Sequence, residues 1–333
     1  MSEWWEFKLS PLLAVFYATA VITNTPLLDN WVLPLLLLLS LAVGAMYVSV
    51  INDLSDIETD QLAGKTNRFA NKSFAFKTLV LSICLMTGIL TNYFWFKTNW
   101  LVGGFYLAAW IAYTLYSIPP FRFKNKGFLG VLGDATGAHF FPYLFVVSAT
   151  FTWIGTPLNL VWLITVGIWA LSCGLRGILW HQVQDYQSDL KSKVNTFVTK
   201  NSKSTACLIG ERIIFPIELI SFILLLIISQ NIFGVIFLVF YFGLIWSRSM
   251  VWDLNIFIIA PHPNYQIIMN DFYAACYPLS ILLLAALAHP NDLLIGLLHF
   301  SLFPKTIISM TRDFVVVIID AVKQNRTHSY PTE

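Results

Sequence analysis

Stretches of about twenty mostly apolar residues recur along this chain, each long enough to cross the hydrocarbon core of a bilayer as a helix. The run from Trp31 to Ile51 carries no charged residue, and neither does 272–288. Of the 333 residues 57% are hydrophobic and only 11% charged, against roughly 25% charged in an ordinary soluble domain. The expected fold class is therefore all-α: a polytopic membrane helical bundle with about nine transmembrane helices in two pseudo-repeated halves. The net charge of +2 is too small to argue for nucleic acid as a partner. Cys84, Cys173, Cys207 and Cys276 stand singly in or beside apolar segments, as packing residues do, with no zinc or disulfide spacing. Ala18-Thr19-Ala20 mimics a signal cleavage site, but Glu3 and Glu6 precede it against Lys8. The positive leader of a secretory signal is missing, so this run is read as the first membrane helix, retained.

In order, the helices are expected near 11–28, from 31 into an acidic motif, then 74–96, 99–117, 130–151, 158–184, 207–228, 232–250 and 272–288. The loops after the even-numbered helices hold Lys65, Arg68, Lys72, Lys77, Arg122, Lys124, Lys126, Lys191, Lys193, Lys200, Lys203 and Arg248, whereas the opposite loops hold only Lys97. By the positive-inside rule the basic loops face the cytoplasm, which fits an inner membrane. One transmembrane domain, 1–290, is expected. Residues 291–323 include Asp292, Pro304, Lys305, Arg312, Asp313, Asp320 and Lys323. The segment 291–333 is therefore expected to be an interfacial or re-entrant helix and tail.

The apolar run that ends at Ile51 leads directly into Asn52-Asp53-Leu54-Ser55-Asp56-Ile57-Glu58-Thr59-Asp60. On a helix Asp53, Asp56 and Asp60 stand at i, i+3 and i+7, and Asn52 stacks over Asp56, so the side chains share one face. Clustered carboxylates at a membrane helix end repel unless a cation lies between them. All donors are oxygens, which points to Mg²⁺, an ion that completes its shell with water and a substrate's phosphates. A polar helix end facing solvent is the alternative for this motif alone. A second copy, Asp185-Tyr186-Gln187-Ser188-Asp189, ends another apolar run. Each copy gives Asp-x-x-x-Asp, then a lysine (Lys65, Lys193) and an asparagine two beyond it (Asn67, Asn195), the signature of a duplicated helical unit. Both motifs end even-numbered helices, so they could share one site, a cage for a metal–diphosphate.

These residues resemble the UbiA superfamily of intramembrane prenyltransferases. Asn52, Asp53, Asp56 and Asp60 fill its N-D-x-x-D-x-x-x-D hallmark, and Asp185 and Asp189 fill D-x-x-x-D. Tyr116 to Lys124 matches the Tyr-Ser-x-Pro-Pro-x-Arg-x-Lys turn of several branches. Lys65 and Arg68 match the cations after the first motif, although Phe69 stands where many members have proline. The likeness spans about residues 10–290. It implies nine helices around a central cavity, a cytoplasmic cap, and Mg²⁺-dependent ionisation of a prenyl diphosphate followed by attack of an acceptor. On this resemblance Asn52, Asp53, Asp56, Asp185 and Asp189 ligate the metal, and Asp56, Asp60, Asp185 and Asp189 form the catalytic cage. Lys65, Arg68, Arg122, Lys124 and Lys193 would contact phosphate, with Tyr116 beside them on the substrate. Heterolysis builds negative charge on pyrophosphate, which fixed cations stabilise, while a dry cavity protects the allylic cation.

Two ionisable residues lie within the sixth apolar helix. His181 precedes Asp185 by one turn and serves either acceptor binding and proton removal or orientation of Asp185. Arg176 either binds an anionic acceptor or pairs with Asp134. The partners expected are a prenyl diphosphate, a small and possibly aromatic acceptor, and the lipid bilayer. Cyclisation of a prenyl diphosphate and phosphoribosyl transfer to a polyprenyl phosphate would use the same cage. A transporter with duplicated halves would place its binding charges near the midplane on broken helices, whereas these carboxylates lie at helix ends.

Overall fold

The computed structural model describes residues 5–259 and 265–328. In chain order the first half comprises α1 (Ser10–Ile22), α2 (Val32–Ser55), α3 (Ile57–Ala63), α4 (Phe74–Thr98), α5 (Trp100–Ser117), α6 (Phe128–Ala135) and α7 (Phe141–Ile154). Then follow α8 (Leu160–Gln184), α9 (Tyr186–Lys191), α10 (Phe197–Asn201), α11 (Lys203–Ile209), α12 (Phe215–Ile228) and α13 (Ile232–Trp252). Two short parallel strands, β1 (Asn255–Phe257) and β2 (Tyr265–Ile267), precede α14 (Tyr277–Ala288), α15 (Leu293–Leu302) and α16 (Pro304–His328). Helices lie at each of the nine expected positions. Six segments among the described residues are long and apolar enough to cross a membrane, and 290–302 with 304–321 make a further pair bent by 87°. Large apolar side chains such as Leu39, Met86, Ile164 and Val239 stand exposed, the surface of a chain solvated by lipid. The protein is an integral, multi-pass membrane protein.

Polar side chains start these helices: Ser73 caps α4, Asn99 α5, Asn159 α8 and Asn231 α13, each accepting a bond from the first turn. Prolines act inside the apolar runs. Pro11, Pro142, Pro216 and Pro278 each follow a π-helical turn, at Trp5–Leu9, Thr136–Phe140, Gly210–Ile214 and Phe272–Cys276. A proline has no N–H and its ring clashes with the carbonyl four residues back, so the turn widens instead of breaking. The carbonyl set free by Pro278, that of Ala274, accepts a bond from Ser10 Oγ at 2.6 Å.

The chain divides into two compact units, residues 32–225 with 258–261, and residues 1–31, 226–257 and 262–333. In the second unit the N-terminal residues are knitted to the C-terminal ones. Glu6 accepts from the backbone N–H groups of Lys305 (2.8 Å) and Thr306 (2.5 Å), which caps α16 with a carboxylate. Asp292 accepts from the N–H groups of Leu27 and Leu28 (3.0 and 2.9 Å), and buried His299 bonds Ser10 and Tyr17. Residues 291–328 belong with the first helix, and the last five residues of the expected tail lie outside the described residues. On helix α16 Asp313 meets Arg248 (2.8 Å) and Asp320 meets Trp252 (3.1 Å), while Ile308, Val315 and Ile319 are exposed.

In the unit of residues 32–225, Gly88 makes room for the Trp110 ring, which stacks on Tyr47 at 4.1 Å and locks α2, α4 and α5 together. Helices α6 and α8 approach most closely at Gly174, where a Cβ would stand 2.9 Å from Ala135 Cα. That contact aligns the end of α8 with the loop before α6.

Candidate active site

Both carboxylate motifs have the same backbone. Helix α2 halts at Asp56 (φ −106°, ψ 3°), α3 follows, and Gly64 turns left-handed (φ 70°). Helix α8 halts at Asp185 (φ −82°, ψ 3°), α9 follows, and Lys193 takes the left-handed position (φ 55°). The closing bonds correspond, Lys65 N to Asp60 O (2.8 Å) and Val194 N to Asp189 O (2.9 Å). Lys193 thus corresponds to Gly64, not to Lys65, and the seventh residue after each last aspartate is Asn67 or Thr196. Each bears on that aspartate: Asn67 Nδ2 donates to Asp60 at 2.8 Å, and the Thr196 hydroxyl holds the Asp189 pKa down. Phe69 and Val198, equivalent again, are both buried.

The first motif is filled with partners from its own chain. Asp53 accepts from Arg68 Nε at 2.5 Å, and Arg68 also donates to Ser49 at 2.6 Å. Asp56 holds the buried Lys124 ammonium and Arg122 at 3.2 Å. Arg122 also donates to Thr59 at 3.0 Å, so the basic loop before α6 is pinned to α3. Asn52 accepts from the buried Ser117 hydroxyl. Burial lowers the Lys124 pKa, and the charge of Asp56 opposes that shift.

The second motif has fewer partners. Asp185 has Lys65 at 3.7 Å, both side chains about half exposed. The Asp189 pKa is pushed up to about 6, by burial first and then by the charge of Asp185, with Lys65 and Thr196 pulling it back. A backbone bridge between Gly127 and Thr196 brings the basic loop before α6 alongside.

Asp56, Asp60, Asp185 and Asp189 with Lys65 and Lys124 line a cavity of about 310 Å³. Tyr116, Asp134, Ile178, His181 and Gln182 line it too, His181 one turn back from Asp185 along α8. Asn52, Asp53 and Arg122 stand behind this lining, bonded as described. Arg68 and Lys193 are exposed and outside it. Arg176 is also outside. It is buried and held by both oxygens of Glu218, at 2.6 and 2.8 Å, a partner that neither expected role, anionic acceptor or Asp134, had indicated. Asp134, Thr196, Ser117 and Glu218 are residues that the motifs did not indicate.

Among the described residues no three His, Cys, Asp or Glu side chains are grouped so as to hold a metal ion by themselves. That arrangement suits Mg²⁺, which takes one or two carboxylates and fills its octahedron with water and phosphate oxygens. The donors lining the cavity from the second motif are oxygens, and burial, then the charge of Asp185, raises the Asp189 carboxyl.

The chain matches the UbiA prenyltransferase family over residues 12–256. It is similar to two solved structures of a UbiA homologue from Archaeoglobus fulgidus. One, bound to GPP and Mg²⁺, has 15% identity and a TM-score of 0.47, covering 92% of this chain and 99% of that one. The other, bound to DMAPP and Mg²⁺, has 15% identity and a TM-score of 0.46, covering 96% and 100%. No curated protein is matched by the chain.

Proposed function

The chain belongs to the UbiA prenyltransferase family, and on that premise we propose that it ionises a prenyl diphosphate in this cavity and transfers the prenyl group to a small acceptor. The observation that carries the reading is the meeting of both carboxylate motifs with Lys65 and Lys124 around one cavity. Asp185 and Asp189, with Asp60 across from them, would hold Mg²⁺. Asp56 would join them when Lys124 shifts from its carboxylate to the substrate. Bound Mg²⁺ supplies neutralisation of the diphosphate oxygens as the carbon–oxygen bond breaks.

The chain's own residues do the remaining work. Lys124 and Lys65 are placed to meet the departing pyrophosphate, with Arg122 behind them on Asp56, where fixed cations need no reorganisation as charge develops. Ile178 and Tyr116 line the same cavity, where the allylic cation needs exclusion of water. His181 contacts the acceptor one turn beneath the carboxylates. The three loops that carry these groups, at 64–73, 118–127 and 192–202, are the basic ones, so the site is assigned to the cytoplasmic side of the membrane.

The test is purified protein with Mg²⁺ and a series of prenyl diphosphates, with and without hydroxylated acceptors. Pyrophosphate and organic products are measured in parallel. Release of pyrophosphate that stops with EDTA, together with an acceptor adduct, is expected. Undiminished release in EDTA would overturn the metal cage, and a cyclic hydrocarbon formed without acceptor would replace transfer by cyclisation.

A further inference from the structure

We infer, resting on the reading above, that Gln182 is a further substrate-binding residue, whose side-chain amide donates a hydrogen bond to a phosphate oxygen of the prenyl diphosphate. The duplicated unit leads there. With the last aspartates aligned, Asn52-Asp53 of the first copy stands in the frame of His181-Gln182 in the second. Eight residues beyond the last aspartate the frame holds Arg68 in the first copy and Phe197 in the second. In the first copy these two positions form an ion pair, Arg68 Nε on Asp53 at 2.5 Å, and neither residue lines the cavity. The second copy lacks both charges of that pair, and Gln182 lies in the cavity lining instead. It stands three residues before Asp185, one turn back on the same face of α8.

The direction of the amide is fixed by chemistry. Gln182 Oε1 accepts from the backbone N–H of Val198 at 3.4 Å, a bond that only the oxygen end can make. Val198 is buried in a cluster with Leu179 and Val183 of α8, which holds that N–H in place. Nε2, with its two hydrogens, is the end left over, and it has no partner among the described residues. The side chain is only 5% exposed, so a ligand oxygen that meets Nε2 satisfies a donor that has little water to turn to.

Charge names the target. A neutral amide nitrogen donates and does not ligate Mg²⁺, so the metal itself is not what Nε2 meets. A carboxylate at position 182, as in the first copy, would add a third negative charge to Asp185 and Asp189 with no arginine at position 197 to offset it. Gln182 removes that repulsion and offers N–H in its place, which suits an anionic oxygen carried in beside Mg²⁺. The diphosphate supplies such oxygens. As the carbon–oxygen bond breaks, its electron pair leaves with pyrophosphate. The hydrogen stays on Nε2, no proton moves, and the bond to the more charged oxygen strengthens.

The test is Gln182→Glu, which matches the glutamine in size, keeps an oxygen for the Val198 N–H and replaces the donor by a carboxylate. Affinities for geranyl diphosphate and for inorganic pyrophosphate are measured by calorimetry in detergent with Mg²⁺, beside the Tm of the ligand-free protein. Both affinities should fall about tenfold or more, the worth of a hydrogen bond to a charged group, with Tm unchanged. Affinities equal to those of the wild type would overturn the assignment and leave Gln182 as a cap for α10. A fall for geranyl diphosphate with none for pyrophosphate would also overturn it, because the contact would then be with the prenyl chain. If Gln182→Glu does not fold, Gln182→Met removes the donor without adding charge and should weaken both ligands about tenfold. A lowered Tm with both affinities intact in that variant would show a structural role alone and overturn the assignment. Binding of neither ligand by the wild type would instead overturn the prenyl diphosphate reading beneath it.

Discussion

Asp53, Asp56 and Asp60 each hold a donor from their own chain, whereas Asp185 and Asp189, on a matching backbone, have a half-exposed lysine and a hydroxyl. The closing hydrogen bonds correspond atom for atom, so geometry does not separate the two motifs. Electrostatics does. The first motif is neutralised by Arg68, Lys124 and Arg122 before any ligand arrives, and it positions those cations as much as they position it. In the second the only cation among the described residues is the half-exposed Lys65, and burial first, then the charge of Asp185, raises the Asp189 carboxyl. A duplicated unit has thus been divided between holding cations that meet phosphate and drawing in a cation from outside.

The division is broken most directly by removing one charge from each copy. Asp185→Asn should cut pyrophosphate release by about 10³-fold, the scale of losing a main electrostatic contact to a developing anion. Asp56→Asn should cost less, about 10- to 100-fold, because Lys124 remains in the cavity lining to meet the diphosphate. Initial rates at saturating Mg²⁺ decide it, and equal losses would mean that both copies serve as metal ligands alike.

Thermal stability should separate the copies by sign. In Mg²⁺-free detergent Lys124→Met should destabilise the protein by about 3 kcal/mol, since it strips a buried cation from Asp56 while leaving Arg122. Asp189→Asn should stabilise it at pH 7. The folded-state pKa of Asp189 lies above the usual carboxylate value, so the folded state holds the proton more tightly than the unfolded chain. That contribution is full below about pH 4 and is lost as pH rises through about 6. The gain in Tm from Asp189→Asn should therefore grow from pH 4 to pH 7 and shrink when Mg²⁺ is added. A gain independent of pH would place its origin in packing.

Much of this was legible in the sequence, for reasons visible in particular residues. Carboxylates at i, i+3 and i+7 after a charge-free run have few alternatives to a shared face at a helix end. Helix positions followed from apolar length, whereas the caps at Ser73, Asn99 and Asn159 emerge only with the structure. The repeat was legible but mis-set by one residue after the motif, because Lys193 was matched to Lys65 on side-chain type. The backbone needs a left-handed residue there, and that matches Lys193 to Gly64. Arg176 was assigned to an acceptor or Asp134 because its true partner lies 42 residues away in another apolar run. The signal was present: Glu218 is the lone acid of its run, and two opposite charges buried in apolar helices call for each other. Asp134 belongs to no motif and gains meaning only from the contact of α6 with α8 at Gly174.

Lys65 crosses from the first copy to the second, and its removal should sharpen the comparison with little effect on folding. The pair with Asp185 is 3.7 Å long with both side chains about half exposed, so Lys65→Ala should change stability by less than about 1 kcal/mol. KM for the prenyl diphosphate should rise about tenfold, the worth of one charge-assisted contact, with a smaller change in kcat. A change confined to kcat would place Lys65 away from the ground-state diphosphate.

The smallest effects should come from Asn67 and Thr196, the residues seven positions beyond the two last aspartates, and they test whether the copies still differ once geometry is matched. Asn67→Ala removes the bond to Asp60 and a second one to the Asp53 carbonyl at 2.8 Å. Thr196→Val removes the hydroxyl that lowers the Asp189 pKa and the cap on α10, where Thr196 Oγ1 accepts from Thr199 N–H at 3.3 Å. Each loss should amount to about 1–2 kcal/mol, the worth of one or two part-buried hydrogen bonds. Only the second should also carry a pH signature. The hydroxyl of Thr196 holds the Asp189 pKa down, so Thr196→Val raises it further towards neutrality. A larger fraction of Asp189 is then protonated at pH 6.5, where the apparent Mg²⁺ requirement should rise, and deprotonation at pH 8 should restore it. Thr196→Ser keeps a hydroxyl and should behave as wild type at both pH values. A Thr196→Val defect of the same size at pH 6.5 and pH 8 would show that the hydroxyl serves the helix cap alone, and that the charge of the second copy does not depend on it.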